Sequence, residues 1–338
     1  MRSIDEKEKD VFNEFIKEHP CGSVFQSYEW GEVKKNTGWM PTRLVLEQEG
    51  RIRGAVSLLM KGLHFTKMAY SPRGPVVDVL HPELFFLFKE GVRDYLREQD
   101  VDFWKMDPEI GCSREVEFAF GDFFSAKTSR GFGGIQPRSV WRVHLNGGHY
   151  PKERLEKPAR RQLKLATKEG IKTRRGTRED IPLFYSLLHN TAGRKAFSIR
   201  SQKYFEDIWD ALHPAGMLSL RLGYKGDEAV CGALATPFGR GVWDIYAGTN
   251  ESARRTGASY FLTWELINDA AADGFSFYDL GGIPVEAHED KGLGGLYQFK
   301  SRFGGKREDF VGEYDYIFSP LKHRMWHLAM GVKGYFNV

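Results

Sequence analysis

RLVLEQEGRIRGAVSLL, residues 43–59, and LSLRLGYKGDEAVCGAL, residues 218–234, decide how this chain folds. Each alternates apolar and polar residues, breaks at a turn and alternates again. The first turns at Glu49-Gly50 and resumes through Gly54, Ala55 and Val56; the second turns at Lys225, Gly226 and Asp227 and resumes at Val230. A period of two on both sides of a glycine-containing turn reads as a strand–turn–strand hairpin. The segments after the two hairpins also match. After the first, the pattern predicts a strand over 68–77, a helix over 82–99 and a strand over 101–106. After the second, the same order gives a strand over 242–247, a helix over 258–273 and a strand over 276–280. The chain repeats itself.

A hairpin, a third strand, a helix and a further strand describe the core of the GNAT acyltransferase fold. The expectation is therefore an α/β (α+β) chain of two tandem GNAT-like domains. The first would span 1–138, with 311–338 returning to it, and the second 139–310. The boundary falls near GFGGIQP, residues 131–137, which breaks both periodicities. No long heptad segment is present to form a coiled-coil arm.

Composition narrows the class. Of 338 residues, 41% are hydrophobic and 28% charged, the balance of a globular protein. No apolar run approaches the roughly 20 residues of a membrane helix, and the charged N-terminus carries no secretory h-region. Cys21, Cys112 and Cys231 are odd in number and far apart. They read as reduced cytosolic thiols rather than a disulfide frame or zinc site. A soluble cytoplasmic protein without stable membrane insertion is expected. Its net charge of +4 is uneven: eleven basic and three acidic residues between Lys152 and Arg178 leave +8 there. Charge focused in this way attracts phosphate backbones.

Several short blocks share an order and spacing with one family: QSYEWGEVKKNTGW (26–39), AYSPRGPVVD (69–78), MDPE (106–109), IYAG (245–248), FYDLGG (277–282) and LYQFKSRFGG (296–305). In that conjunction the chain resembles the FemABX family of aminoacyl-tRNA-dependent, non-ribosomal transferases that build peptidoglycan bridges. It looks most like the short FemX-type members without a coiled-coil arm, which accept soluble UDP-MurNAc-pentapeptide. The resemblance implies transfer of an amino acid from aminoacyl-tRNA to the side-chain amine of the stem peptide, on UDP-MurNAc-pentapeptide or lipid II. It implies no cofactor and no metal, and a monomer that works in the cytoplasm or at the inner membrane face.

The resemblance also assigns residues. Lys34 matches a lysine that contacts the UDP-sugar diphosphate, and Arg200, Tyr204 and Tyr246 match residues of the same site. Ionised diphosphate suits Lys and Arg donors, and a helical i, i+4 spacing would put Arg200 and Tyr204 on one face. Phe299 and Lys300 match a Phe-Lys pair at the reacting ester. Lys300 would stabilise the oxyanion, worth about 2.7–4 kcal/mol, and Phe299 would wall the terminal adenosine. Asp107 matches a candidate general base for the attacking amine; orienting that amine, capping a loop, or substrate-assisted proton transfer are the alternatives. Lys157, Arg161, Lys164 and Lys168 recur at helical spacing as a face for tRNA phosphates.

Other signals carry less. RRTGAS, residues 254–259, nearly fits an acyl-CoA pyrophosphate loop and sustains a rival reading, a GNAT-type N-acyltransferase using acyl-CoA or another activated acyl donor. A non-catalytic RNA-binding protein on a decayed scaffold is a second rival. Gly74-Pro75, Gly281-Gly282 and the glycines of 292–295 read as turn formers. His323 and His327 stand at i, i+4 with no third ligand in view, and read as a surface helix. The basic and apolar tail from Leu321 is expected to pack on the first domain or to touch an anionic bilayer.

Overall fold

The computed structural model describes residues 1–63, 65–125, 132, 134–195, 198–285 and 294–333. The first half runs β1 (Arg2–Ser3), α1 (Lys9–Glu18), α2 (Tyr28–Lys35), β2 (Met40–Gln48), β3 (Arg51–Leu63), β4 (Thr66–Ser71), β5 (Val76–Val77), α3 (Pro82–Glu98), β6 (Phe103–Met106), α4 (Arg114–Ala119) and β7 (Phe124–Ser125). It continues with β8 (Ser139–His144), α5 (Lys157–Lys168), β9 (Ile171–Arg175), α6 (Ile181–Lys195), α7 (Gln202–Leu212), β10 (Ser219–Lys225), β11 (Glu228–Phe238) and β12 (Gly241–Thr249). The remainder is α8 (Glu251–Thr256), α9 (Ala258–Ala272), β13 (Phe277–Gly282), α10 (Gly294–Ser301), β14 (Lys306–Asp309), β15 (Tyr314–Ile317) and α11 (Pro320–Lys333).

Both hairpins form. Gln48 pairs with Arg51 around Glu49-Gly50, whose φ angles of 52° and 73° are those of a tight primed turn. Lys225 pairs with Glu228 around Gly226-Asp227. The helices α3 and α9 then cross over, so that β4 lies parallel to β6 and β12 parallel to β13. Each half thus carries the hairpin–strand–helix–strand core, and the fold is two GNAT-like units in tandem. One expected element differs. The strand over 68–77 stops at Ser71, the chain reverses at Pro72-Arg73 with Arg73 at φ 55°, and β5 returns to pair with β3.

The sheets are ordered β1-β2-β3-β4-β6-β15-β7, with β5 on β3, and β14-β8-β13-β12-β11-β10-β9. They share a reciprocal exchange. The strand after the first half, β8, lies antiparallel to β13 in the second sheet. The late strand β15 returns to lie antiparallel to β6 in the first. Of the stretch expected as the boundary, 131 and 133 fall outside the described residues.

A continuous apolar core joins the halves: Phe12, Ile16, Trp30 and Val33 meet Phe184, Tyr204, Phe205 and Ile208. Trp30, Val33 and Lys34 share one face of α2, at i, i+3 and i+4. Packing that face inward buries the lysine with the apolar residues, and Lys34 is 4% exposed.

Candidate active site

The parallel pairing of β12 and β13 ends at Trp243 and Asp279. Beyond it a cavity of about 270 Å³ is lined by Phe25, Trp30, Lys34 and Arg73 from the first half, and by Tyr204, Asp244, Ile245, Tyr246, Asp279, Gly281 and Gly282 from the second. A register shift opposite Leu234 and Ala235 leaves Ile245 as the extra residue of a bulge, so Asp244, Ile245 and Tyr246 all reach the wall.

Four of the expected residues meet here. Lys34 Nζ donates to Tyr204 Oη at 2.8 Å and lies 5.1 Å from the centres of both the Trp30 and Tyr204 rings. Burial, and after it the neighbouring Tyr246, push the Tyr204 hydroxyl well above its ordinary value. Arg200 stacks its guanidinium 5.5 Å from the Tyr204 ring. It does so from just before α7 rather than from a shared helical face, because Ser201 is the N-cap. Burial, and secondarily the Arg200 charge, pull the Lys34 ammonium down to about 7. A desolvated cation beside a second cation is unstable alone and favours an incoming anion.

Lys300 of α10 stands behind the cavity wall, against Gly281 and Gly282. Its Nζ donates to the Gly282 carbonyl at 2.7 Å. Gly281, read as a turn former, adopts φ 79° and passes close to the ammonium: a Cβ there would stand 3.5 Å from Lys300 Nζ. Burial lowers the Lys300 ammonium, while Asp244 and then Asp279 oppose the shift. Asp244 is raised by the same burial and held down by Lys300. Neither carboxylate is among the residues expected from the sequence. Asp279 lies within FYDLGG, but Asp244 carries no local signal.

Behind this wall a buried line of charge crosses between the sheets. Arg142 of β8 binds Asp279 at 3.0 Å, Glu308 at 3.0 Å and Glu109. Glu109 in turn faces Arg73 Nε at 3.8 Å. Asp107 does not line the cavity. Its two oxygens accept from Tyr70 Oη and the Arg73 amide, each at 2.6 Å. Burial pushes its carboxyl up to about 7. This geometry makes Asp107 a clamp on the left-handed Arg73 turn, the loop-capping alternative among its expected roles.

Phe299 lies beside Lys300 but turns to the core, with ring centres 4.8 Å from Tyr260 and 5.1 Å from Phe303. On α5, Ala159, Leu163 and Ala166 are buried, so Lys157, Arg161, Lys164 and Lys168 are exposed. Arg254 and Arg255 of the neighbouring α8 are exposed as well and extend this basic surface. A Cβ at Gly257 would lie 2.4 Å from the Gln162 carbonyl. Thus α5 packs over the start of α9, where an acyl-CoA pyrophosphate loop would need open amides. Of the 292–295 glycines, Gly292 lies outside the described residues, and Gly294 and Gly295 begin α10. His323 is not on an exposed helix face: it is 6% exposed and beside Asp315.

Among the described residues no helix is long and apolar enough to cross a membrane. Comparison with known proteins gives a consistent picture. The lipid II:glycine glycyltransferase of Staphylococcus epidermidis is 24% identical, over 94% of this chain and 93% of that protein. The enzyme of the same name from Staphylococcus aureus is 24% identical, over 98% and 95%. The crystal structure of FemX has the same fold, with a TM-score of 0.87 at 22% identity over 96% of this chain and 99% of that one. The model of the FemAB family matches residues 7–117, 118–220 and 222–330, and with nearly the whole length matched, the chain belongs to the FemAB family.

Proposed function

We propose that this FemAB-family chain is an aminoacyltransferase of peptidoglycan synthesis. It moves an amino acid from aminoacyl-tRNA to the side-chain amine of the stem peptide, forming the interpeptide bridge. A cavity lined by Lys34, Tyr204 and Tyr246, with Arg200 stacked on Tyr204 and Lys300 bonded to the Gly282 carbonyl of its wall, carries this reading, since it joins a cationic side chain at the cavity to a second buried ammonium behind it. The names of the staphylococcal relatives support it.

The diphosphate of the acceptor, shared by UDP-MurNAc-pentapeptide and lipid II, binds at Lys34 and Arg200, with the Tyr204 and Tyr246 hydroxyls as further donors. A cavity of about 270 Å³ holds only part of so large a ligand. The stem peptide extends toward Lys300. The amine attacks the ester carbonyl of the aminoacyl-tRNA, and negative charge gathers on the carbonyl oxygen. Lys300 steadies it, and Asp244 and Asp279 keep Lys300 protonated. The tetrahedral intermediate collapses to the amide, and the ribose oxygen leaves with a proton. Arg73, held by Asp107, lines the acceptor side. Phe299, through Tyr260 and Phe303, fixes the register of α10.

We assign acceptor binding to the cavity where the unit formed by 1–138 and 311–338 meets the unit 139–310, and the tRNA to the unit 139–310 through α5 and α8. The enzyme acts as a monomer in the cytoplasm and meets lipid-linked acceptor at the membrane face. A transfer assay with radiolabelled amino acid tests this. Label passing from charged tRNA to UDP-MurNAc-pentapeptide or lipid II supports it. Label passing from acyl-CoA alone, or RNA binding without turnover, refutes it.

A further inference from the structure

Asp315 lies on β15, within the first sheet, and is fully buried. After it the chain turns into α11, where His323 and His327 are one turn apart. Both rings direct Nε2 at the same carboxylate oxygen, at 2.8 Å from His323 and 3.6 Å from His327. The two Nε2 atoms are 3.1 Å from each other. The other Asp315 oxygen meets Lys105 Nζ at 2.7 Å, and Lys105 also meets Glu313 at 2.5 Å.

The carboxylate oxygen and the two ring nitrogens form a compact triangle. Hydrogen bonding does not satisfy all its sides, because a ring nitrogen has one in-plane direction for a proton or a lone pair. If His323 Nε2 donates to Asp315, it has nothing left to offer His327. A cation at the centre accepts all three lone pairs together. Atoms held about 2.0–2.1 Å from a tetrahedral zinc-type ion stand roughly 3.3 Å apart, the size of this triangle.

The surroundings suit an ion as well. Lys105 occupies one Asp315 oxygen and so aims the other at the histidines, as outer partners of metal ligands do. Glu313 and Asp315 carry two formal negative charges against the one positive charge of Lys105, leaving the group short of a cation. The Phe103 ring centre lies 5.0 Å from that of His323, giving a dry wall. The His327 side chain is 39% exposed, which leaves an approach for the ion and a position for solvent.

We propose that Asp315, His323 and His327 bind a divalent transition-metal ion of the zinc type, which fastens α11 to the first sheet. None of these residues lines the transferase cavity, so the proposal stands apart from the transfer reaction.

The test uses the full-length, untagged protein stripped by a chelator. It is titrated with Zn²⁺ by calorimetry and with Co²⁺ by absorption. The expected result is one bound equivalent, cobalt bands of tetrahedral intensity, and a higher melting temperature with zinc. His327→Gln alters the half-exposed ring and leaves the buried His323–Asp315 contact in place. It should melt like the wild type in chelator, and lose both the zinc-induced rise and about 100-fold or more in zinc affinity. That exceeds the about 10–100-fold cost of losing an outer partner. Failure of the wild type to bind zinc, or equal binding by His327→Gln, overturns the proposal.

Discussion

Lys34 on α2 and Tyr204 on α7 are 170 residues apart, yet the lysine donates to the tyrosine at 2.8 Å across the join between the two halves. The bond puts an ammonium lowered to about 7 at the wall of the cavity. An anionic ligand favours the protonated form and raises this value again. Above about pH 7, precursor binding should therefore take up a proton, and affinity should fall by up to about tenfold per pH unit. Calorimetry in buffers of different ionisation enthalpy measures the uptake. A value of zero at about pH 8.5 would separate the ligand from Lys34.

The same burial costs stability. In the unfolded chain Lys34 has the ordinary lysine value, so between about 7 and that value the unfolded state binds more protons than the folded one. Native stability therefore rises with pH across this window, and the cost is greatest below it. Lys34→Met should melt higher than the wild type, and the gain should be larger at about pH 6 than at about pH 9. A variant that melts lower at both would mean the ammonium is well solvated.

Lys300 and Asp244 should separate in kinetics. Lys300→Met is expected to lower kcat by about 10²–10³ while precursor binding holds. Asp244→Asn removes the main charge that opposes the lowering of Lys300. If Lys300 acts as a cation, activity falls as it deprotonates, and this fall should move to lower pH in Asp244→Asn. An unmoved alkaline limb would assign it to another group.

Much of this was legible because it is local. The hairpins, α3, α5 and α9 declare themselves by period two or by helical spacing, and the +8 segment places a basic face on α5. The hidden features depend on pairings between distant strands. Asp244 matters because a bulge brings it to the cavity wall, where its charge acts on Lys300, and nothing near it in sequence says so. Arg142 and Asp279 are single charges on separate strands, and Glu109 lies in the loop after β6. The expected strand over 68–77 failed because it ran through Pro72-Arg73-Gly74-Pro75, where the turn signal overrides the apolar residues on either side, and Arg73 takes a left-handed turn clamped by Asp107. Helical spacing paired His323 with His327, but the partner they face, Asp315, comes from β15.

The basic face of α5 should act through phosphate charge alone. Replacing Lys157, Arg161, Lys164 and Lys168 by alanine should weaken tRNA binding. It should also flatten the plot of log affinity against log salt by about 0.7–0.9 for each phosphate left without its cation. KM for the precursor should be unchanged. An unaltered salt slope would place the tRNA elsewhere.

In the proposed reaction two buried lysines divide the labour, Lys34 holding the acceptor and Lys300 serving the chemistry. The most direct measurement is equilibrium binding of UDP-MurNAc-pentapeptide to the wild type, Lys34→Met and Lys300→Met, each shown to be folded. It should find tight binding in the wild type and Lys300→Met, and a loss of about tenfold or more in Lys34→Met, the 1.4 kcal/mol or more expected of a charge-assisted contact. Equal binding by all three, or a loss confined to Lys300→Met, would contradict it.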